Sequence, residues 1–166
     1  LDINPTILTA MGCSVPEEMR GQDLVALAAR GEEEAERAVF GEYHGPGAVT
    51  GEFMVRQGPW KYIHYEGMRP QLFDLRHDPE ELRDLGEDPA HAEVRDEFDA
   101  RLRHEFGDLA ALDARIKAYQ RRQFEAWWRN GDPREKTAEL LKFAGGNRNA
   151  IAPYLQILGA GPKQTP

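Results

Sequence analysis

The stretch Glu52-Phe53-Met54-Val55-Arg56-Gln57-Gly58-Pro59-Trp60-Lys61-Tyr62-Ile63-His64-Tyr65 decides the fold. Its two runs are rich in β-branched and aromatic residues, and Gln57-Gly58-Pro59 between them supplies the backbone freedom of a tight turn, so the segment reads as a β-hairpin. Trp60, Tyr62 and His64 alternate with Lys61, Ile63 and Tyr65 at the period of a strand, which predicts one covered face and one partly wet face. Upstream, Ala38 to Tyr43 reads as a strand running into the loop His44-Gly45-Pro46-Gly47. Downstream, Gln71 to Leu75 reads as another strand, ended by His77-Asp78-Pro79 with Asp78 as an N-cap. Four strands at hairpin spacing predict a small antiparallel sheet.

The flanks are helical. Val94, Phe98, Leu102 and Phe106 recur every four residues, so Pro89 to Phe106 reads as an amphipathic helix covering one face of the sheet. Leu112 to Trp128 carries a broader stripe (Ile116, Tyr119, Gln123, Phe124, Trp127, Trp128), and a third helix runs from about Pro133 to Phe143 before a tail punctuated by Gly145-Gly146, Pro153, Gly159, Gly161 and Pro162. At the other end, Asn4 reads as N-cap, Pro5 as first helical residue and Gly12 as C-cap of a short helix. Its apolar face, Ile3, Ile7, Leu8 and Met11, has few partners nearby in sequence. A second short apolar segment follows Met19 to Asp23, and the acidic run Glu32 to Glu36 reads as a solvated face. The fold class is α+β: residues 1–30 read as the end of a larger domain and a connector, 31–110 as the sheet with its helix, and 111–166 as a helical extension and tail.

The 29 acidic residues outnumber the 21 Lys and Arg, for a net charge of −8, which argues against a nucleic-acid surface. No apolar run approaches the ~20 residues of a membrane span. The single cysteine excludes an internal disulfide. The opening at Leu1, without Met, is expected to lie inside a larger protein, whose compartment, bacterial-type cytoplasm or periplasm, stays open.

Few residues offer chemistry. The five histidines have no metal-ligand spacing, and no phosphate loop, dinucleotide fingerprint, serine-hydrolase elbow or zincin motif occurs. No catalytic residue and no metal ligand is assigned within the chain. His44, displayed in a Gly-Pro-Gly loop at a strand end, and its neighbour Tyr43 are the candidate substrate-binding residues. Lys61 and Arg56 could hold an anion or pair with carboxylates. Trp60, Tyr62, Tyr65, Trp127 and Trp128 could form a cation box, with core packing the ordinary alternative.

The order of segments resembles the C-terminal portion of sulfatases of the alkaline phosphatase superfamily. Leu1-Asp2-Ile3-Asn4-Pro5-Thr6-Ile7-Leu8 is similar to that family's V-D-x-x-P-T-L-L, Arg20 to Leu24 to its G-x-S/D-L stretch, and Val39 to Tyr43 to V-F-x-E-Y. Met54 to Ile63 resembles M-x-R-x-G-x-W-K-Y-I, and Gln71 to Leu85 resembles Q-L-F-D-L followed by D-P-x-E-x-x-N-L, with Asp84 where Asn is usual. Lys117-Ala118-Tyr119-Gln120 resembles bacterial members with C-terminal extensions.

This resemblance implies a parent enzyme that cleaves sulfate esters with a formylglycine made from cysteine and a divalent cation, Ca or Mn, both supplied by an N-terminal domain upstream. Cys13-Ser14-Val15-Pro16 does not match the nucleophile pattern, because Val15 and Glu17 stand where Pro or Ala and Arg belong; Cys13 reads as a loop or small buried cysteine. The likeness of the Tyr43–His44 loop to choline-sulfatase-like enzymes implies a pocket rim and a homo-oligomer. The alternatives are a phosphodiester or phosphonate hydrolase of the same superfamily, or a non-catalytic interaction module using the first helix and the Trp-bearing helix.

Overall fold

Gly58 adopts φ +54° in the two-residue turn that closes strands β2 (Glu52–Gln57) and β3 (Trp60–Tyr65), a backbone value a side chain would resist. In this computed structural model, which describes residues 1–31, 37–45, 48, 50–147 and 149–152, the hairpin is the centre of a four-stranded antiparallel meander in the order β1-β2-β3-β4. Strand β1 is Val39–Tyr43 and β4 is Gln71–Asp74. The acidic run at 32–36 and the tail from Pro153 lie outside the described residues.

The register explains the layering. Val55 pairs with Tyr62 and Tyr62 with Leu72, so these three share a face, joined by Phe53 opposite His64. Helix α3 (Ala92–Phe106), entered through a short 3-10 turn at Pro89–His91, lays Phe98 and Leu102 on that face and buries it. Phe106 extends the layer, its ring 5.5 Å from Phe53 and 6.1 Å from Phe40. The other sheet face leaves Val39 and Tyr43 exposed, while Phe73 is buried. The outer edge of β4 is satisfied by the chain that follows, since Leu72 N–H donates to Asp84 Oδ1 at 3.1 Å and Leu85 N–H to Leu72 O at 2.8 Å. Asp84 Oδ1 also accepts from Gly86 N–H at 2.9 Å. Both bonds fall on one oxygen that an Asn shares, which is why Asp can stand there.

The remaining helices are α1 (Ile3–Ala10), α2 (Leu24–Arg30), α4 (Leu109–Arg129) and α5 (Pro133–Phe143). Two expected caps are corrected. Helix α1 begins before Asn4, because Thr6 N–H already bonds Asp2 O at 3.2 Å; Pro5 sits within the first turn, where its missing donor has no intrahelical partner to lose. The Asp2 carboxylate is engaged elsewhere: it accepts from Gln22 N–H at 2.9 Å and Arg37 at 2.6 Å. The Arg37 hydrogen bond, helped by Gln22, holds the Asp2 carboxyl below the usual range. Asp78 caps no helix; it accepts from Leu82 and Arg83 N–H at 3.1 and 2.8 Å, closing a loop in which Glu81 takes φ +57°. Helix α4 starts ahead of Leu112, with Asp108 accepting from Ala111 N–H and Leu109 fully buried.

Tyr62, 2 % exposed, donates to Asp99 Oδ1 at 3.0 Å. Burial pushes its hydroxyl far above the ordinary tyrosine range, and the adjacent Asp99 charge adds to the shift. A raised folded value means a contribution that is whole below the unfolded pKa of about 10 and is lost as pH rises beyond it. Alkaline titration followed by circular dichroism is expected to show stability falling above about pH 10, with Tyr62→Phe flattening part of that slope.

Candidate functional site

Strand β1 ends at Tyr43 and delivers His44 to the edge of the core. The His44 ring packs edge-on against Phe53, with centroids 5.3 Å apart, and its side chain is 13 % exposed. Among the described residues its buried Nε2 has no hydrogen-bond partner, and Glu42 Oε2 stands 3.5 Å away, within ion-pair range. Tyr43 is half-exposed, and its ring closes over Gly45 so tightly that a Cβ there would meet it at 2.5 Å. The structure therefore brings the two candidate residues to one strand end, with Pro46 and Gly47 of their loop outside the described residues.

The returning end of the loop is held from α4. Asp113, 5 % exposed, accepts from Gly51 N–H at 2.9 Å and pairs with Lys117 at 2.7 Å. Lys117 reaches Thr50 Oγ1 at 3.4 Å, and the Thr50 hydroxyl donates to Glu66 O at 2.8 Å. Gln120 donates to His44 O. Gly51 is small of necessity, because a Cβ there would lie 2.8 Å from the His44 ring and 2.9 Å from Asp113 Oδ1.

A second polar cluster lies between sheet and α3. His64 Nδ1 is 3.0 Å from Asp99 Oδ1 and its Nε2 is 3.3 Å from Glu66 Oε2, while Arg103 Nε donates to Asp99 Oδ2 at 2.7 Å. Burial raises the Asp99 carboxyl, but the hydrogen bonds from Arg103 and Tyr62 outweigh it, and the net direction is down. Sequence reasoning singled out neither Asp99 nor Asp113: each is a carboxylate on a charged helix face with an i+4 cation, and the partners that set it apart, Tyr62 and His64 for one and Gly51 for the other, are far along the chain.

The other candidates are not assembled into sites. Lys61 is paired with Glu81 at 2.7 Å. The aromatic residues fall into separate places: Trp60 tilts against His91, Tyr62 is in the core, and Tyr65 donates to Gln71. Trp127 stacks on Phe124 and has the chain's own Lys136 4.4 Å above its ring. Cys13 is exposed in the loop after α1. Among the described residues no group of three His, Cys, Asp or Glu side chains could hold a metal ion, so these side chains do not fit a divalent cation. No helix of the described residues is long and apolar enough to cross a membrane.

Comparison with known proteins completes the description. Residues 1–107 match the family model N-sulphoglucosamine sulphohydrolase, C-terminal. Mouse arylsulfatase K (Mus musculus) is 32 % identical over 137 residues, covering 76 % of this chain and 24 % of the relative, and arylsulfatase K of Danio rerio is 33 % identical over 134 residues, covering 76 % and 25 %. Among solved structures, the 2-O GAG sulfatase BT1596 superposes with a TM-score of 0.53 at 34 % identity, covering 63 % of this chain and 24 % of that one. The chain thus spans about a quarter of the length of the relatives it matches. The ordered motifs, the meander with its covering helix and the match over residues 1–107 place this chain in the N-sulphoglucosamine sulphohydrolase C-terminal family, the C-terminal region of sulfatases.

Proposed function

We propose that this chain is the C-terminal lobe of an enzyme that hydrolyses sulfate esters, supplying scaffold and one wall of the substrate pocket rather than the nucleophile. The observation that carries the proposal is the family match over residues 1–107, the span that holds the whole sheet and its helix. A formylglycine and a divalent cation, Ca or Mn, would be held by residues of an N-terminal domain, since the described side chains here offer neither a matching cysteine motif nor a cation site. When bound, such a cation supplies charge stabilisation at the ester oxygens.

Within this chain the wall is assigned to Tyr43 and His44. The buried His44 Nε2, with no hydrogen-bond partner among the described residues, can donate as N–H to an oxygen of an anionic ester, and Tyr43, the preceding residue on the other side of the strand, offers a half-exposed ring. Residues 1–30 act as the connector. Ile3 and Ile7 of α1 and Met11 just after it are 66, 51 and 71 % exposed, and Leu24 and Val25 of the adjoining α2 are exposed as well, a surface suited to covering by that N-terminal domain. Residues 111–166 act as a C-terminal extension and tail, and the whole enzyme would assemble as a homo-oligomer.

The test begins with the reading frame upstream of Leu1, which is expected to carry Cys-x-Pro/Ala-x-Arg. The full encoded protein is then assayed for release of inorganic sulfate from aryl and sugar sulfates. Sulfate release supports the proposal. Cleavage of phosphonate monoesters alone, or hydrolysis of neither class, overturns it.

A further inference from the structure

We propose that Asp113, Lys117 and Gln120 of α4 are a brace that positions Tyr43 and His44 at the pocket wall by pinning both described ends of the β1–β2 connection. The inference rests on the reading of Tyr43 and His44 as a pocket wall.

The three residues stand at i, i+4 and i+7, so they project from one side of the helix. All three reach the same connection. Gln120 takes His44 O at its start, and Asp113 and Lys117 take Gly51 N–H and Thr50 Oγ1 at its end. Asp113 is the keystone. A carboxylate 5 % exposed is costly to desolvate, and it is stabilised here by one backbone donor from the loop and one ammonium from its own helix. The far side of the loop end is anchored to Glu66, the residue after β3, by Thr50 Oγ1 to Glu66 O and by Glu66 N–H to Gly51 O at 3.2 Å. Gly51 lets three groups meet, its bare Cα lying between the His44 ring and the Asp113 carboxylate.

The brace lies beyond the span matched by the family model, which ends at 107. The lobe is therefore complete in sheet and covering helix before the residues that tether the His44 loop appear. What the extension adds is a fixed loop: backbone at His44 and Gly51 is held by side chains of α4, so the His44 ring is kept against Phe53 rather than free to swing.

The experiment uses the full encoded protein with Asp113→Ala, Lys117→Met and Gln120→Ala, read by steady-state kinetics on a sulfate ester and by amide exchange over residues 42–45 and 50–51. Loss of a charge-assisted bond is expected to speed exchange at these amides by about tenfold. KM is expected to rise about tenfold, with kcat changing less. Asp113→Asn keeps the oxygen that accepts from Gly51 and is expected to recover most of the protection. Should Asp113→Ala fail to fold, Gln120→Ala, at an exposed position, decides the matter alone. Unchanged exchange in the variants would show that α4 braces nothing. Faster exchange with KM unchanged would show a fastening of the helix without a positioning role. A wild-type protein that protects the loop yet releases no sulfate would bring down the pocket-wall reading and the positioning role built on it, while leaving the brace itself standing.

Discussion

Replacing Phe53 by Ala is expected to cost the lobe about 3–5 kcal/mol. Phe53 is fully buried at the meeting point of three elements: its ring touches His44 from the loop, His64 from β3 and Phe106 from α3. Truncation removes most of a large apolar side chain and leaves a cavity bounded by a sheet and a helix that cannot both move in to fill it. With total stabilities of about 5–15 kcal/mol, such a loss leaves a small margin. Native-state amide exchange of β2 and β3 should accelerate by about two to three and a half powers of ten, at one decade per about 1.4 kcal/mol. Leu82→Ala, 81 % exposed in the loop after β4, should leave the same amides within about 0.5 kcal/mol. Equal effects of the two substitutions would refute this account of the core.

Asp99→Ala is expected to follow, at about 2–3 kcal/mol. It strands three donors at once: the buried Tyr62 hydroxyl, His64 Nδ1 and Arg103 Nε. A partly exposed position lets water recover some of the loss, which is why the figure stays below that of a fully buried ion pair. The sign of the pH dependence follows from the direction of the shift. The folded carboxyl lies below its unfolded value of about 3.9, so its contribution is whole above that value and is lost as pH falls through the folded pKa. Asp2, held down by Arg37, runs the same way. Acid unfolding of the parent chain should therefore steepen below about pH 4, and Asp99→Ala should be less stable at neutral pH yet less sensitive to acid. A variant with an unaltered acid limb would contradict the assignment.

How much of this was legible in the sequence depends on the range of the physics involved. The hairpin at Gln57-Gly58-Pro59 and the four-residue recurrence of Val94, Phe98, Leu102 and Phe106 are local signals, and the structure follows them. Asp132 likewise caps α5 where the sequence ends one helix and starts the next. Asp78 was misplaced because its carboxylate closes a local loop and starts no helix, and Asn4 because the helix begins earlier, behind an Asp2 drawn to the distant partners Arg37 and Gln22. The brace was hidden for the same reason. Asp113, Lys117 and Gln120 look like any solvated helix face until Gly51, 62 residues away, is found against them. Tyr43 and His44 could be placed at a strand end from sequence, but the burial of the His44 ring depends on Phe53, which only the register reveals.

The meander order has a consequence for the chain during its synthesis. Each strand pairs with the one made just before it, so the sheet needs only short loop closures and can assemble as it emerges, with α3 sealing it once Phe106 is out. The latch on the His44 loop belongs to α4, which is made after the sheet and α3. On the ribosome this lobe would pass through a stage in which its core is finished but its working loop is still unfastened.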